Sequence, residues 1–197
     1  MTAKEFVKKI TDLGIKNIIG VPDSTLTPFC NYICKNTGEG FFHYVSANEG
    51  SAVGQAIGSY LVSGEPACIY MQNSGLGNVV NPMTSLANKE VYNIPMLLII
   101  GWRGEPGKQD EPQHKYMGKI TTELLKLLNI EYSVLDKSMT EEEVNKCFGK
   151  AREKLGKHQQ YALLVKKNFL EGNNTFAYQN HYKLVREEAI KEILQNI

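Results

Sequence analysis

The stretch Ile94-Pro95-Met96-Leu97-Leu98-Ile99-Ile100 contains no charged or polar side chain. A strand with one face in water alternates apolar and polar residues. A run this short and this continuous fits a strand buried on both faces. It is far too short to cross a bilayer. A doubly buried strand needs helices above and below it, and the rest of the chain supplies them in alternation. Short apolar runs at 17–21, 41–45, 67–71, 96–101, 131–135 and 161–165 read as strands. The segments 2–13, 25–36, 48–63, 76–89, 118–128 and 140–155 read as helices. The expected fold is therefore α/β: three layers, α/β/α, around a mainly parallel sheet of about six strands.

Helix ends support this division. Thr2-x-x-Glu5 and Thr140-x-x-Glu143 both match the capping box. Gly14 and Gly156 follow helical patterns, where a left-handed cap residue is expected. The N-terminal helix places Phe6, Val7, Ile10 and Leu13 on one face and lacks the unbroken apolar core of a signal peptide. Of the four cysteines, Cys30, Cys34, Cys68 and Cys147, only the first two are close, and no His or Cys pair completes a zinc site around them. Reduced thiols in a cytoplasmic protein are expected. Lys plus Arg number 22 and Asp plus Glu 21, a net charge of +1. No global basic field exists to hold nucleic acid or an anionic membrane, so any anion must be held locally.

In parallel α/β sheets, ligands sit at the carboxyl ends of the strands. The polar, glycine-rich loops fall there: VPDST, SANEG, QNSGLGN and GWRGEPGKQDEPQH follow the first four strands. QNSGLGN contains G-x-G, but Val80 stands at the third glycine position and no acidic residue ends the next strand, so a dinucleotide-binding reading fails. Gly50, Gly54 and Gly58 form a bare stripe along one helix. Each glycine costs about 1 kcal/mol relative to alanine, so a close approach by another helix or a bound ring must offset it. Glu49 begins that helix, where its charge either complements the helix dipole or serves a ligand. Arg103 follows a buried strand and suits either an oxyanion or a structural ion pair. His114 lies in a loop, and histidine is the side chain whose ordinary proton affinity lies nearest neutrality. His43, His158 and His181 have no such setting.

Taken together, Gly20-Val21-Pro22-Asp23-Ser24, Ala47-Asn48-Glu49-Gly50, Tyr70 to Asn78, Ile94-Pro95-Met96-Leu97, Gly101 to Gly107 and Asp110-Glu111-Pro112-Gln113-His114 resemble phosphonopyruvate decarboxylase. The sulfopyruvate decarboxylase α subunit is similar but matches the last two stretches less well. The resemblance covers most of residues 1–165. It implies the pyrimidine-binding domain of a thiamine diphosphate (ThDP) enzyme that decarboxylates 3-phosphonopyruvate to phosphonoacetaldehyde and CO₂ with Mg²⁺. An α chain of a two-chain sulfopyruvate decarboxylase, or a non-catalytic module of the same fold, are the alternatives.

The resemblance also implies roles. Glu49 would activate the cofactor's aminopyrimidine ring, with Gln72, Asn73 and Gly75 lining that side. Asp23 and His114 would handle protons. Arg103 is an inference beyond the resemblance: with Gln113 it would meet the substrate. A Gly-Asp-Gly motif, which holds Mg²⁺ and the diphosphate in such enzymes, does not occur in the chain. The metal and diphosphate are therefore expected on a second domain, in the same or another chain, and the isolated chain is expected to be inactive. Residues 1–166 would form the pyrimidine domain, 167–180 a linker, and 181–197 a helix leading into the second domain. A homo-oligomer with its contact on helix 48–63 is expected.

Overall fold

The computed structural model describes residues 1–172 and 184–195. Six strands form one sheet: β1 (Asn17–Gly20), β2 (Phe42–Val45), β3 (Ala67–Gln72), β4 (Met96–Gly101), β5 (Glu131–Leu135) and β6 (Tyr161–Val165). Their order is β2-β1-β3-β4-β6-β5, and every pair is parallel. β2 lies to one side of β1 and β3 to the other. The chain therefore reverses its direction of travel across the sheet between β1 and β3, and a crevice opens at their carboxyl ends.

The apolar run behaves as its composition requires. Along β4, Leu97 and Ile99 enter the core beneath α1 (Ala3–Thr11), α2 (Thr27–Lys35) and α6 (Glu141–Gly156), while Met96, Leu98 and Ile100 enter the opposite core. That second core is covered by α3 (Glu49–Ser63), α4 (Leu76–Ser85) and α5 (Pro112–Leu127). Burying each such side chain contributes about 1.5–3 kcal/mol. Both capping boxes form, at Thr2 with Glu5 and at Thr140 with Glu143.

Four expectations need correction. Gly14 takes the left-handed conformation at φ +83°, but Gly156 is the last residue of α6, and His158 instead turns the chain at φ +56°. Helix α4 stops at Ser85, four residues short of the expected 89, with Pro82 inside it; the carbonyl of Pro82 then accepts from the amides of Leu86 and Ala87 in the closing turn. Helix α5 starts at Pro112 and not near 118, because a proline at the first position has the right φ and no amide to waste. The fourth concerns the expected linker. Phe169 and Leu170 are buried, Phe169 packs edge-to-face on Phe6, and Glu171 bridges to Thr2. The packed body thus continues past residue 166. Of the expected terminal helix, 181–183 and 196–197 lie outside the described residues; α7 (Arg186–Gln195) has no buried residue.

Candidate functional site

The loops after β1, β3 and β4 meet at the crevice. Asp23 caps the 3-10 turn Ser24–Leu26: one carboxylate oxygen accepts the Thr25 amide at 3.0 Å. The other accepts Gln72 Nε2, at the end of β3, at 2.7 Å. The carboxylate is buried and lies against the Cα of Gly101, where any Cβ would collide with it. The end of β4 is thus glycine because the Asp23 carboxylate occupies the side-chain position. Ser74 Oγ donates to Gln72 Oε1 at 2.8 Å, so the Gln72 amide is held at both ends.

Glu49 is the first residue of α3, after the N-cap Asn48, whose Oδ1 accepts the Ser51 amide at 2.8 Å. The partly positive end of the helix favours its charge. Its side chain crosses to the loop after β3. Oε2 accepts Asn78 Nδ2 at 2.6 Å, and a Cβ built on Gly75 would lie 2.5 Å from Glu49 Oε1. Gly75 is therefore bare because the carboxylate lies on it. Asn78 donates to Oε2, while Oε1 has no donor among the described residues. Asn78 was not singled out by sequence, since an amide in a helix's first turn reads only as a polar surface residue.

The stripe on α3 divides. A Cβ on Gly50 would lie 2.8 Å from the Asn78 carbonyl, so this glycine permits the α3–α4 approach. Gly54 and Gly58 face open space in the described structure. Of the three expected close approaches, by a helix or a bound ring, the described structure shows the one at Gly50. The outer pair continues along the helix into exposed Leu61 and Val62, and Phe42 and Tyr44 on the edge strand β2 are exposed as well.

Asn73 is buried and turned inward. Its Nδ2 donates to the Arg103 carbonyl at 2.9 Å and to Thr121 Oγ1 at 2.8 Å, and its Oδ1 accepts the Arg103 amide at 3.1 Å. It ties three elements together and presents no polar atom outward, so in this structure it supports the crevice from behind. Arg103 is engaged as well. Nε and Nη2 fork onto Asp110, at 2.9 and 2.5 Å, and Nη1 donates to Ser24 Oγ at 3.0 Å. The guanidinium holds the Asp110 carboxyl well below the usual carboxylate range, helped by the Gly104 and Glu111 amides.

His114 lies in the first turn of α5, half-buried on the stripe that continues through Met117, Gly118 and Thr121. Gln113 is exposed on the neighbouring side. The loop backbone at Gly104 packs directly on the His114 carbonyl and on Gly118. The structure brings Asp23 to Gln72 and Glu49 to Gly75; among the described residues the His114 ring makes no hydrogen bond to either carboxylate. No cluster of three or more metal-binding side chains occurs among the described residues, and no helix there is long and apolar enough to cross a membrane.

This arrangement is a carboxylate seated on a glycine, a buried carboxylate from the neighbouring strand's loop, and a histidine in the first turn of α5. Residues 1–124 match the model of the thiamine pyrophosphate enzyme N-terminal TPP binding domain. The chain belongs to that family. Other members resemble it further. A phosphonopyruvate decarboxylase of Streptomyces viridochromogenes is 39% identical over 153 residues, 78% of this chain and 37% of that protein. One from Streptomyces hygroscopicus is 40% identical over 135 residues, 68% of this chain and 32% of its own length. The sulfopyruvate decarboxylase subunit alpha of Methanococcus maripaludis is 37% identical over 133 residues, 67% of this chain and 76% of the subunit. This TPP-binding chain thus spans about a third of the length of the phosphonopyruvate decarboxylases it matches.

Proposed function

We propose that the chain supplies the pyrimidine-binding half of a ThDP- and Mg²⁺-dependent decarboxylase acting on 3-phosphonopyruvate. The observation that carries this reading is the seating of Glu49 on Gly75, with Oε2 held by Asn78 and Oε1 without a donor among the described residues. A carboxylate with one oxygen held and the other undonated can hold a proton at a ring nitrogen. When bound, ThDP supplies the electron sink that allows a 2-oxo acid to lose CO₂. Gln72 and Gly75 line the ring's side, with Asn73 supporting them from behind. Asp23 and His114 carry protons to and from the reacting substrate, and Arg103 and Gln113 meet its anionic end. A second domain, in the same or another chain, holds the diphosphate and the metal. The outer stripe Gly54, Gly58, Leu61 and Val62 is the surface we assign to this assembly. A role in cytoplasmic phosphonate biosynthesis fits the substrate.

The alternative substrate, sulfopyruvate, is favoured by one observation: the subunit alpha relative is covered over most of its length. Turnover of both acids by the assembled enzyme decides between them. Glu49→Gln tests the reading itself. It should lower turnover by about 100-fold or more while leaving the thermal midpoint unchanged, since general acid–base groups contribute about 10²–10⁴-fold. Turnover near wild type would remove Glu49 from the chemistry.

A further inference from the structure

A cavity of about 390 Å³ opens at the carboxyl ends of β1, β4 and β6, lined among others by Ser24, Thr25, Thr27, Arg103 and Lys167. That is within the ~300–1,000 Å³ range of small-molecule sites. A neighbouring cavity of about 340 Å³ shares Arg103, Lys167 and Asn168 with it. Between these cavities the cations differ in how they are matched. Lys166 is paired with Glu105 at 2.6 Å and Asp136 at 3.1 Å. Lys167 is exposed and has no carboxylate partner among the described residues.

Arg103 is only partly used. A guanidinium has five N–H donors in a rigid plane. Asp110 takes one on Nε and one on Nη2, and Ser24 takes one on Nη1. One hydrogen remains on each terminal nitrogen. Asp110 is itself locked by the Gly104 and Glu111 amides, so the plane of Arg103 is set before any ligand arrives. Thr25 also lines the cavity, and its hydroxyl is buried without a hydrogen-bond partner. Ser24 adjoins Asp23, so an anion held here lies one residue from the buried carboxylate of the crevice.

We infer that Ser24, Arg103 and Lys167 form a subsite for a tetrahedral oxyanion, with Asp110 as the residue that positions Arg103, and that the subsite takes the phosphonate or sulfonate end of the 2-oxo acid. The substrate part of this inference rests on the proposed function; the anion site does not. The two remaining Arg103 hydrogens, Lys167 and the Ser24 hydroxyl offer more donors than the two oxygens of a carboxylate engage, and so suit the three oxygens of a phosphonate or sulfonate.

The test reads binding, not turnover. Amide shifts of this chain are followed by NMR during titration with phosphonoacetate, sulfoacetate, acetate and inorganic phosphate. Phosphonoacetate and sulfoacetate should saturate the shifts of Ser24, Arg103 and Lys167, binding about tenfold more tightly than acetate. Lys167→Gln and Asp110→Asn should each weaken them about fivefold, the effect of one modest charge interaction. Lys167 is exposed, so its variant keeps the test valid if Asp110→Asn does not fold. No saturable shift up to about 50 mM, or affinity unchanged in Lys167→Gln, overturns the subsite. Inorganic phosphate binding as tightly as phosphonoacetate overturns its assignment to the substrate. Turnover retained in Glu49→Gln alongside intact phosphonoacetate binding would instead remove the decarboxylase reading and leave the subsite standing.

Discussion

Glu49 and Gly75 act as one unit although 26 positions separate them in the chain, 75 − 49. The carboxylate lies where a side chain at position 75 would be, and the Asn78 amide holds it from the other side. Gly75→Ala should therefore push Glu49 off its seat. The added methyl should cost about 1–3 kcal/mol of stability, and cofactor-dependent turnover should fall far more than that loss predicts. Thermal unfolding and turnover of the assembled enzyme measure the two effects, and Gly75→Ala with full turnover would show that the seating is incidental. Sequence reading reached both residues through their resemblance to a family, but not the contact between them. A glycine in a tight βα turn has an ordinary local explanation, so its long-range role stayed hidden. Arg103 illustrates the reverse. Two uses were open on spacing alone, and the structure shows the ion pair with Asp110 while leaving donors for an anion.

The edge strand β2 is fastened to the sheet by more than its ladder. His43 reaches across β1, its Nε2 2.7 Å from the Tyr70 hydroxyl of β3, while Cys34 Sγ of α2 lies 3.6 Å from Nδ1. Gly20 of β1 leaves room for the Tyr70 ring between them. Burial lowers the proton affinity of His43 below its ordinary value. The unfolded chain then binds a proton that the folded state resists, and no carboxylate contacts the ring. Stability from the neutral ring is complete above about pH 6.5 and is lost as pH falls through that value toward the folded one. His43→Gln should flatten the fall in urea midpoint between about pH 7 and 5. An unchanged slope would place the titration elsewhere. At this scale the strands were legible because their apolar runs are bounded by glycine and polar loops. The start of α5 was not, because Gln113, Lys115 and Tyr116 are exposed and its inward face opens on His114, with Met117 the one large apolar side chain before Ile120. A single apolar residue sets no period to read.

At the scale of the whole molecule, the domain leaves apolar surface unspent on one side. Gly54 and Gly58 meet nothing within the described structure, yet each costs helix stability. Leu61 and Val62 on the same helix are exposed, as are Phe42 and Tyr44 of the edge strand. Gly58→Arg should leave this chain's thermal midpoint unchanged or slightly raised, by about 0.5–1 kcal/mol, because arginine is the better helix former. It should weaken assembly with the diphosphate-binding partner. Light scattering of the mixture reads this directly; assembly equal to wild type would take α3 out of the interface.

The amino-acid order alone determined the layers of this protein. A strand buried on both faces demands helices on both sides, and period and caps are local properties that survive in one dimension. It also determined which loops bear polar groups, since parallel strands send their carboxyl ends to one edge. Only the tertiary structure decided what those loops do to one another: that Asp23 fills the space over Gly101, that Asn73 faces inward, and that Arg103 is shared between Asp110 and Ser24. Apart from Arg103 with Asp110, these contacts join residues far apart in the chain. Their partners are set by strand order and close packing, which no local pattern of hydrophobicity or charge encodes.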